Sequence, residues 1–229
     1  MKTPVLLAIE CSQRKGGIAL QDREGNIHQH HFENGARRDD VLQPAIESVF
    51  DVAGLQPEDL EGCGCSIGPG GFTGLRITIA TVRACAMTLG IPVYGIPSAA
   101  VAAASTPQVA GPVLVALACK GDSLWLTRLE YPHQNDWIGT GGLVLAASIS
   151  EHLHDATMLL ADEHLPEAAR ETALGAGLPI VDPCFDPTSC LQITSIRHAA
   201  AMADDAMALG PLYPREPEAV TIFNARTPS

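Results

Sequence analysis

Basic residues are scarce in this chain. Fourteen Lys and Arg stand against 26 Asp and Glu, a formal charge of −12 over 229 residues. Affinity for nucleic acid comes mainly from Lys and Arg on phosphate, so the composition excludes a stand-alone RNA or DNA binder. Basic residues cluster no further than adjacent pairs such as Arg37-Arg38, and any nucleic acid would have to be held by a partner. Long apolar runs are missing as well: none approaches the roughly 18 residues needed to span a bilayer. The opening run 5–9 stops at Glu10, too short for the apolar core of a secretory signal. Seven cysteines form an odd set without a disulfide rhythm, which points to a cytoplasmic protein with free thiols. Cys63 and Cys65 make a C-x-C pair with no second pair nearby, so they read as small buried hydrophobes rather than a zinc site.

Catalytic signatures are equally thin. No His-x-x-x-His pair occurs. His28, His30 and His31 cluster on a strand-like stretch, with His28 and His30 on one face, and read as a solvated hairpin strand. His152 and His154, two apart on an expected helix, do not share a face.

What is present is a glycine loop, Gly68-Pro69-Gly70-Gly71-Phe72-Thr73-Gly74-Leu75-Arg76, between an apolar run at 63–67 and a helix-like run at 75–89. Glycine permits positive φ and close approach of other groups to the main chain. The hydroxyl of Thr73 is placed to cap the helix. Two readings stand open: a tight turn packing helix on strand, or a nucleotide or partner contact through Gly68, Pro69, Gly70, Gly71, Phe72, Thr73, Gly74 and Arg76. A P-loop is excluded, because Leu75-Arg76 stands where Gly-Lys-Ser/Thr is required.

The order of elements repeats. Runs at 5–11, 18–21 and 27–32 read as a three-strand meander. A helix follows at 41–53, capped by Asp39 or Asp40, with Pro44 near its first turn and Gly54 after its end. A strand to Ile67, the glycine loop, the helix closed by Gly90, a strand at 93–96 and a short helix from Ser98 complete the first half. The second half shows a hairpin of 112–118 and 123–130, a strand at 143–145, a helix at 148–154, and a strand at 158–161. A helix at 166–174, a strand at 178–182 and a helix at 194–208 follow. The expected architecture is α/β, two ribonuclease-H-like domains in tandem, as in the actin-like ATPase and sugar-kinase superfamily. The domains fall at 1–106 and 107–210, with a tail at 211–229 that packs back on the core.

ATP-using proteins of that architecture hold Mg²⁺ with carboxylates at the first hairpin. Here Glu10 is a single weak candidate, and the matching hairpin at Leu117-Ala118-Cys119-Lys120-Gly121-Asp122 offers an acid only in its turn. A hard cation wants several oxygen ligands, so no intrinsic metal or cofactor is expected. ATP or ADP with Mg²⁺ fits only at a junction with a partner.

The segment Ser66-Ile67-Gly68-Pro69-Gly70-Gly71-Phe72-Thr73-Gly74-Leu75-Arg76-Ile77 resembles the signature of the TsaB (YeaZ) family, G-P-G-S-F-T-G-L-R. Leu6-Leu7-Ala8-Ile9-Glu10, Leu42-Gln43-Pro44 and Gly90-Ile91-Pro92-Val93-Tyr94-Gly95-Ile96 agree with it too. The tail Pro211-Leu212-Tyr213-Pro214-Arg215 is similar to the family's P-x-Y-L-R ending. The resemblance covers 5–103 and the tail, and is weak between. It implies a non-catalytic subunit needed to form N6-threonylcarbamoyladenosine at adenosine 37 of tRNAs reading codons that begin with A. It implies pairing with the paralogous transferase TsaD, company with the ATPase TsaE, homodimers when alone, and only indirect contact with tRNA. The histidine pair with which TsaD holds its metal falls on Ser98 and Ala102, which cannot ligate a transition metal. Three positions depart from the family: Gly71 for serine, Arg38 for histidine, and Leu117-Ala118-Cys119 for Asp-Ala-Arg.

Pairing is expected through two apolar helices, with Leu42, Ala45, Ile46, Val49 and Phe50 on the first and Ile77, Thr81, Ala84 and Thr88 on the second. Small residues there permit close helix approach; burial inside the chain is the competing account. The other functional readings are a small kinase or ATPase with Glu10 and Asp122 on Mg²⁺, a peptidase, or a dimeric interaction module unrelated to tRNA.

Overall fold

The computed structural model describes residues 2–32, 38–107, 111–119, 121–130 and 139–214. Side chains at 38–40, 118, 139 and 140, and the expected features at Arg37, Lys120 and 215–229, lie outside the described residues.

Two five-stranded sheets are built in the same order. The first contains β1 (Leu6–Glu10), β2 (Gly17–Gln21), β3 (Ile27–His31), β4 (Gly62–Gly68) and β5 (Val93–Pro97), arranged β3-β2-β1-β4-β5. The meander β1–β3 is antiparallel, and β4 and β5 join it in parallel. The second contains β6 (Val113–Ala118), β7 (Ser123–Leu129), β8 (Gly139–Leu145), β9 (Met158–Leu160) and β10 (Ile180–Val181), arranged β10-β9-β6-β7-β8 with the same senses. Duplicated ribonuclease-H-like topology in one chain is the actin-like α/β architecture.

The sequence of β4, Gly-Cys-Gly-Cys-Ser-Ile-Gly, shows why it is central. Strand side chains alternate between faces. Cys63, Cys65 and Ile67 point into a core shared with α1 (Arg38–Ala53) and α2 (Phe72–Leu89), together with Leu7, Ile9, Leu42, Val49, Ile79 and Val82. Gly62 and Gly64 point to the opposite face, where α5 (Pro187–Ala199) lies so close that a Cβ at Gly64 would overlap the Thr194 hydroxyl. Glycine at 64 is therefore a condition of the helix–sheet distance.

The inner helices cross over. α3 (Ser98–Ala104) leaves the first sheet, yet its Ala99, Ala102 and Ala103 pack on Val113, Val115 and Leu129 of the second. α5 leaves the second sheet and packs Cys190, Leu191 and Ile193 on Leu6, Ala8, Tyr94 and Ile96 of the first. The outer face of the second sheet is covered by a 3-10 helix at Ala146–His152 and by α4 (Glu167–Gly175).

Several boundaries differ from the sequence reading, each for a local reason. α1 begins at Arg38, so Pro44 stands inside the helix rather than in its first turn, and Asp39 and Asp40 are helical rather than caps. α2 begins at Phe72 with Gly71 at its N-cap and no side-chain cap, so Thr73 does not cap it. The helix expected at 194–208 is α5, which starts seven residues earlier: the Asp186 carboxylate accepts the Thr188 N–H at 2.7 Å, and Pro187 opens the first turn. It ends at Ala199, because the following chain is captured by the edge of β5. There Asp204 N–H donates to the Val93 carbonyl at 2.9 Å, and Asp204 Oδ2 accepts the Gly95 N–H at 2.7 Å. The stretch expected as a helix at 148–154 forms the 3-10 turns of 146–152, and β8 is four residues longer than the 143–145 read for it.

Candidate functional site

The glycine loop is filled by its own chain. After β4 the backbone turns at Gly68, whose φ is +109°. A Cβ at Gly70 would overlap the Ser12 carbonyl oxygen, and one at Gly74 the Cys11 carbonyl oxygen. The Gly71 N–H donates to Ser12 O at 2.7 Å. The turn after β1 thus lies across the first turn of α2, and glycines 70 and 74 admit it. Gly71 differs, since a Cβ there would meet only Ser12 O at 3.8 Å. What the loop offers outward is Gly71, Phe72, Thr73 and Arg76, all exposed.

A second segment closes on the loop from far along the chain. Leu209 is buried beside Gly95, and Leu212 N–H donates to the Ile67 carbonyl at 2.7 Å. Tyr213 then stacks on Phe72, with ring centroids 5.5 Å apart and planes at 21°. The Arg76 guanidinium sits 4.0 Å above the Phe72 ring, and its Nε donates to the Tyr213 hydroxyl at 3.1 Å.

Glu10 ends β1 fully buried, and its Oε1 accepts the Ser12 N–H at 2.6 Å. The carboxylate is turned inward onto the backbone of its own loop. Asp122 is exposed in the β6–β7 turn, where its carbonyl accepts the Ala146 N–H at 2.8 Å. Among the described residues no group of three or more His, Cys, Asp and Glu is placed to hold a metal ion. These residues do not fit the several oxygen ligands of Mg²⁺, and no chemical step follows from them. Ser98 and Ala102 lie buried on α3, in the interior between the sheets.

The nine helix residues expected at a docking face separate into three groups. Leu42, Ala45, Val49 and Phe50 are at most 6% exposed and belong to this chain's core, packed on the first sheet. Ile46, Ile77 and Thr81 are half-buried, and the Thr81 hydroxyl is spent on the Ile77 carbonyl at 2.9 Å. Ala84 and Thr88 face outward, and the structure adds Phe72, Arg76, Ala80 and Met87 beside them, with Met87 67% exposed. Phe72, Arg76 and Ala80 were legible as the i, i+4 continuation of Ala84 and Thr88. On α1 the outward residues are Gln43, Pro44, Glu47, Ser48, Asp51 and Val52.

Two electrostatic pairs were not anticipated. Asp22, in the β2–β3 turn, accepts from His28 at 2.9 Å and from Asn26, and these bonds hold its carboxyl at about 2 against an ordinary 3.8. Cys63 does not act with Cys65. Its thiol bonds to Cys85 of α2, which lowers Cys85 to about 7 and raises Cys63. A shallow cleft of about 470 Å³ lies elsewhere, between the turn at 153–157 and the end of α4 at 176–179.

Against known proteins, the family model described as TsaD, tRNA N6-adenosine threonylcarbamoyltransferase, matches residues 35–128. The tRNA threonylcarbamoyladenosine biosynthesis protein TsaB of Buchnera aphidicola subsp. Schizaphis graminum is 34% identical over 141 residues, 60% of this chain and 65% of that one. An uncharacterized protein of Mycobacterium tuberculosis (strain ATCC 25618 / H37Rv) is 31% identical over 183 residues, 78% of this chain and 75% of that one. The chain belongs to the TsaB (YeaZ) family. The solved structure of YeaZ from Pseudomonas aeruginosa has the same fold, with a TM-score of 0.72 at 20% identity over 92% of this chain and 99% of that one. The matched region 35–128 contains α1, the glycine loop, α2 and α3. The position where the TsaB family signature carries serine is Gly71, the loop glycine with room for a side chain.

Proposed function

We propose that this chain is the non-catalytic TsaB subunit of the system that forms N6-threonylcarbamoyladenosine at adenosine 37 of tRNAs reading codons that begin with A. It acts by pairing with a TsaD-type transferase through the outward faces of α1 and α2. The reading is supported by the family, and by one observation above the rest: α2 presents a continuous line at i, i+4 spacing, Phe72, Arg76, Ala80, Ala84 and Thr88, with Met87 beside it. Small residues on such a line let a partner helix approach to about 8–10 Å between axes. Glu10, the one carboxylate the fold would use on Mg²⁺, is buried and accepts the Ser12 N–H of its own loop through Oε1. The subunit therefore supports the transferase by contact rather than by chemistry of its own.

Phe50 is a core residue, so a change there tests folding and not pairing. Ala84→Arg is the suitable variant, because Ala84 is exposed. It should abolish co-purification with the organism's TsaD-type paralogue while the circular dichroism spectrum and thermal midpoint stay at the parent values. Depletion of the chain should remove the modified adenosine from tRNA, and restoring Ala84→Arg should not return it. Intact pairing in Ala84→Arg, or unchanged modified tRNA on depletion, contradicts the proposal.

A further inference from the structure

Tyr213 stands 137 residues from Arg76 in the chain, yet it completes one compact surface group with Phe72 and Arg76. Phe72 remains 49% exposed even with Tyr213 stacked on it. An aromatic pair with a cation over one ring combines the residue types that carry most of the energy at protein interfaces. The group sits at the start of the outward line of α2, continuous with Ala80 and Ala84.

The group is also held ready. Leu212 is tied to β4 through the Ile67 carbonyl, and its own carbonyl lies 2.8 Å from where a Gly68 side chain would begin. Tyr213 therefore arrives on a fixed backbone, and its hydroxyl fixes Arg76 through Nε. Order present before association is ordering that association need not supply.

Charge indicates what the group meets. The 18 residues of α2 include Arg76 and Arg83 and no Asp or Glu, on a chain whose net charge is −12. With Nε engaged by Tyr213, the far side of the Arg76 guanidinium matches the fork geometry of a carboxylate.

We infer that Tyr213 is a positioning residue of the docking face: it presents Phe72 and Arg76 as a preformed anchor for an acidic side chain, beside an apolar surface, on the paralogous partner. This rests on the pairing through α2 proposed above. The tail segment 211–214 is thereby part of the interface apparatus, and not merely a strap that tidies the end of the chain.

Isothermal titration of the full chain with the TsaD-type paralogue, over a range of NaCl concentrations, separates the possibilities. Tyr213→Ala should weaken binding at least tenfold with the thermal midpoint nearly unchanged. Arg76→Gln should weaken it similarly and flatten its salt dependence, since the lost contact is charged. The double variant should bind little worse than either single one, as expected of groups acting as a unit. Should Tyr213→Ala unfold the protein, Arg76→Gln at its exposed site still decides. Binding within twofold of the parent in the folded single variants, while Ala84→Arg abolishes it, overturns this inference and leaves the pairing intact. Parent-like binding by Ala84→Arg overturns the pairing itself.

Discussion

The two sheets have one topology and very different outer layers. The first is covered by α1 and α2, of 16 and 18 residues, and its parallel strands β4 and β5 have seven and five. In the second, α1 is replaced by seven residues of 3-10 helix, α4 has nine, and β9 and β10 shrink to three and two. A 3-10 turn presents less regular surface and is rarely longer than a few residues. The thick outer layer leaves a long helix face outside; the thin one leaves a shorter one on α4. Duplication supplied two copies of a scaffold, and the two long outer helices belong to the first.

The inner layer is tightest where α5 meets β4, so the largest stability effect is expected there. Gly64→Ala, whose Cβ overlaps Thr194, should cost about 1–3 kcal/mol in urea unfolding. Gly142→Ala on β8, with nothing within 4 Å, should lie within about 0.5 kcal/mol of the parent. Equal costs would contradict the claim that glycine at 64 is a condition of the helix–sheet distance.

The sheet edges differ as well. β3 is tied to its turn by the Asp22–His28 pair, whereas the indole of Trp125 lies against Gly141 of β8. The folded-state pKa of Asp22 is below its unfolded value, so its contribution is present above about pH 4 and lost as pH falls towards 2. Asp22→Asn should therefore lower stability at neutral pH and flatten its fall between pH 4 and pH 2. An unchanged acid limb contradicts the pair.

Much of this was readable beforehand, and the failures have common causes. The succession of strands and helices, the glycine loop and the closures at Gly54 and Gly90 followed from apolar periodicity and positive-φ glycines, which act locally. The run Ala199-Ala200-Ala201-Met202-Ala203 reads as helix because alanine favours one. Yet Ala201 takes φ +54° and the chain leaves to pair Asp204 with Val93, a tertiary contact that overrides propensity. β8 was under-read because Gly-Thr-Gly-Gly has no strand signature; its ladder with β7 defines it. At the site, apolarity alone could not separate Phe50 in the core from Ala84 outside, and nothing in the linear sequence joins Tyr213 to Phe72.

Smaller effects sharpen the contrast at single residues. Gly71→Ser places a hydroxyl at an N-cap that has no side-chain cap, in open space, and should stabilise by about 0.5 kcal/mol, raising Tm by about 1–2 °C. A lowered Tm would mean the cap geometry is wrong. Among thiols, Cys85 is held at about 7 by Cys63, while burial raises the exposed Cys184. Iodoacetamide at pH 7 should modify Cys85 faster than Cys184 despite its lesser exposure, as judged by peptide mass spectrometry. Faster labelling of Cys184 contradicts the thiol pair.

The central claim is that the first half docks and the second does not. Binding of the TsaD-type paralogue to Ala84→Arg, on α2, and to Leu174→Arg, at an exposed apolar position on α4, tests it directly. The account predicts at least a hundredfold loss for the first and affinity within twofold of the parent for the second. Loss in Leu174→Arg with retention in Ala84→Arg would place the docking face on the other half of the molecule.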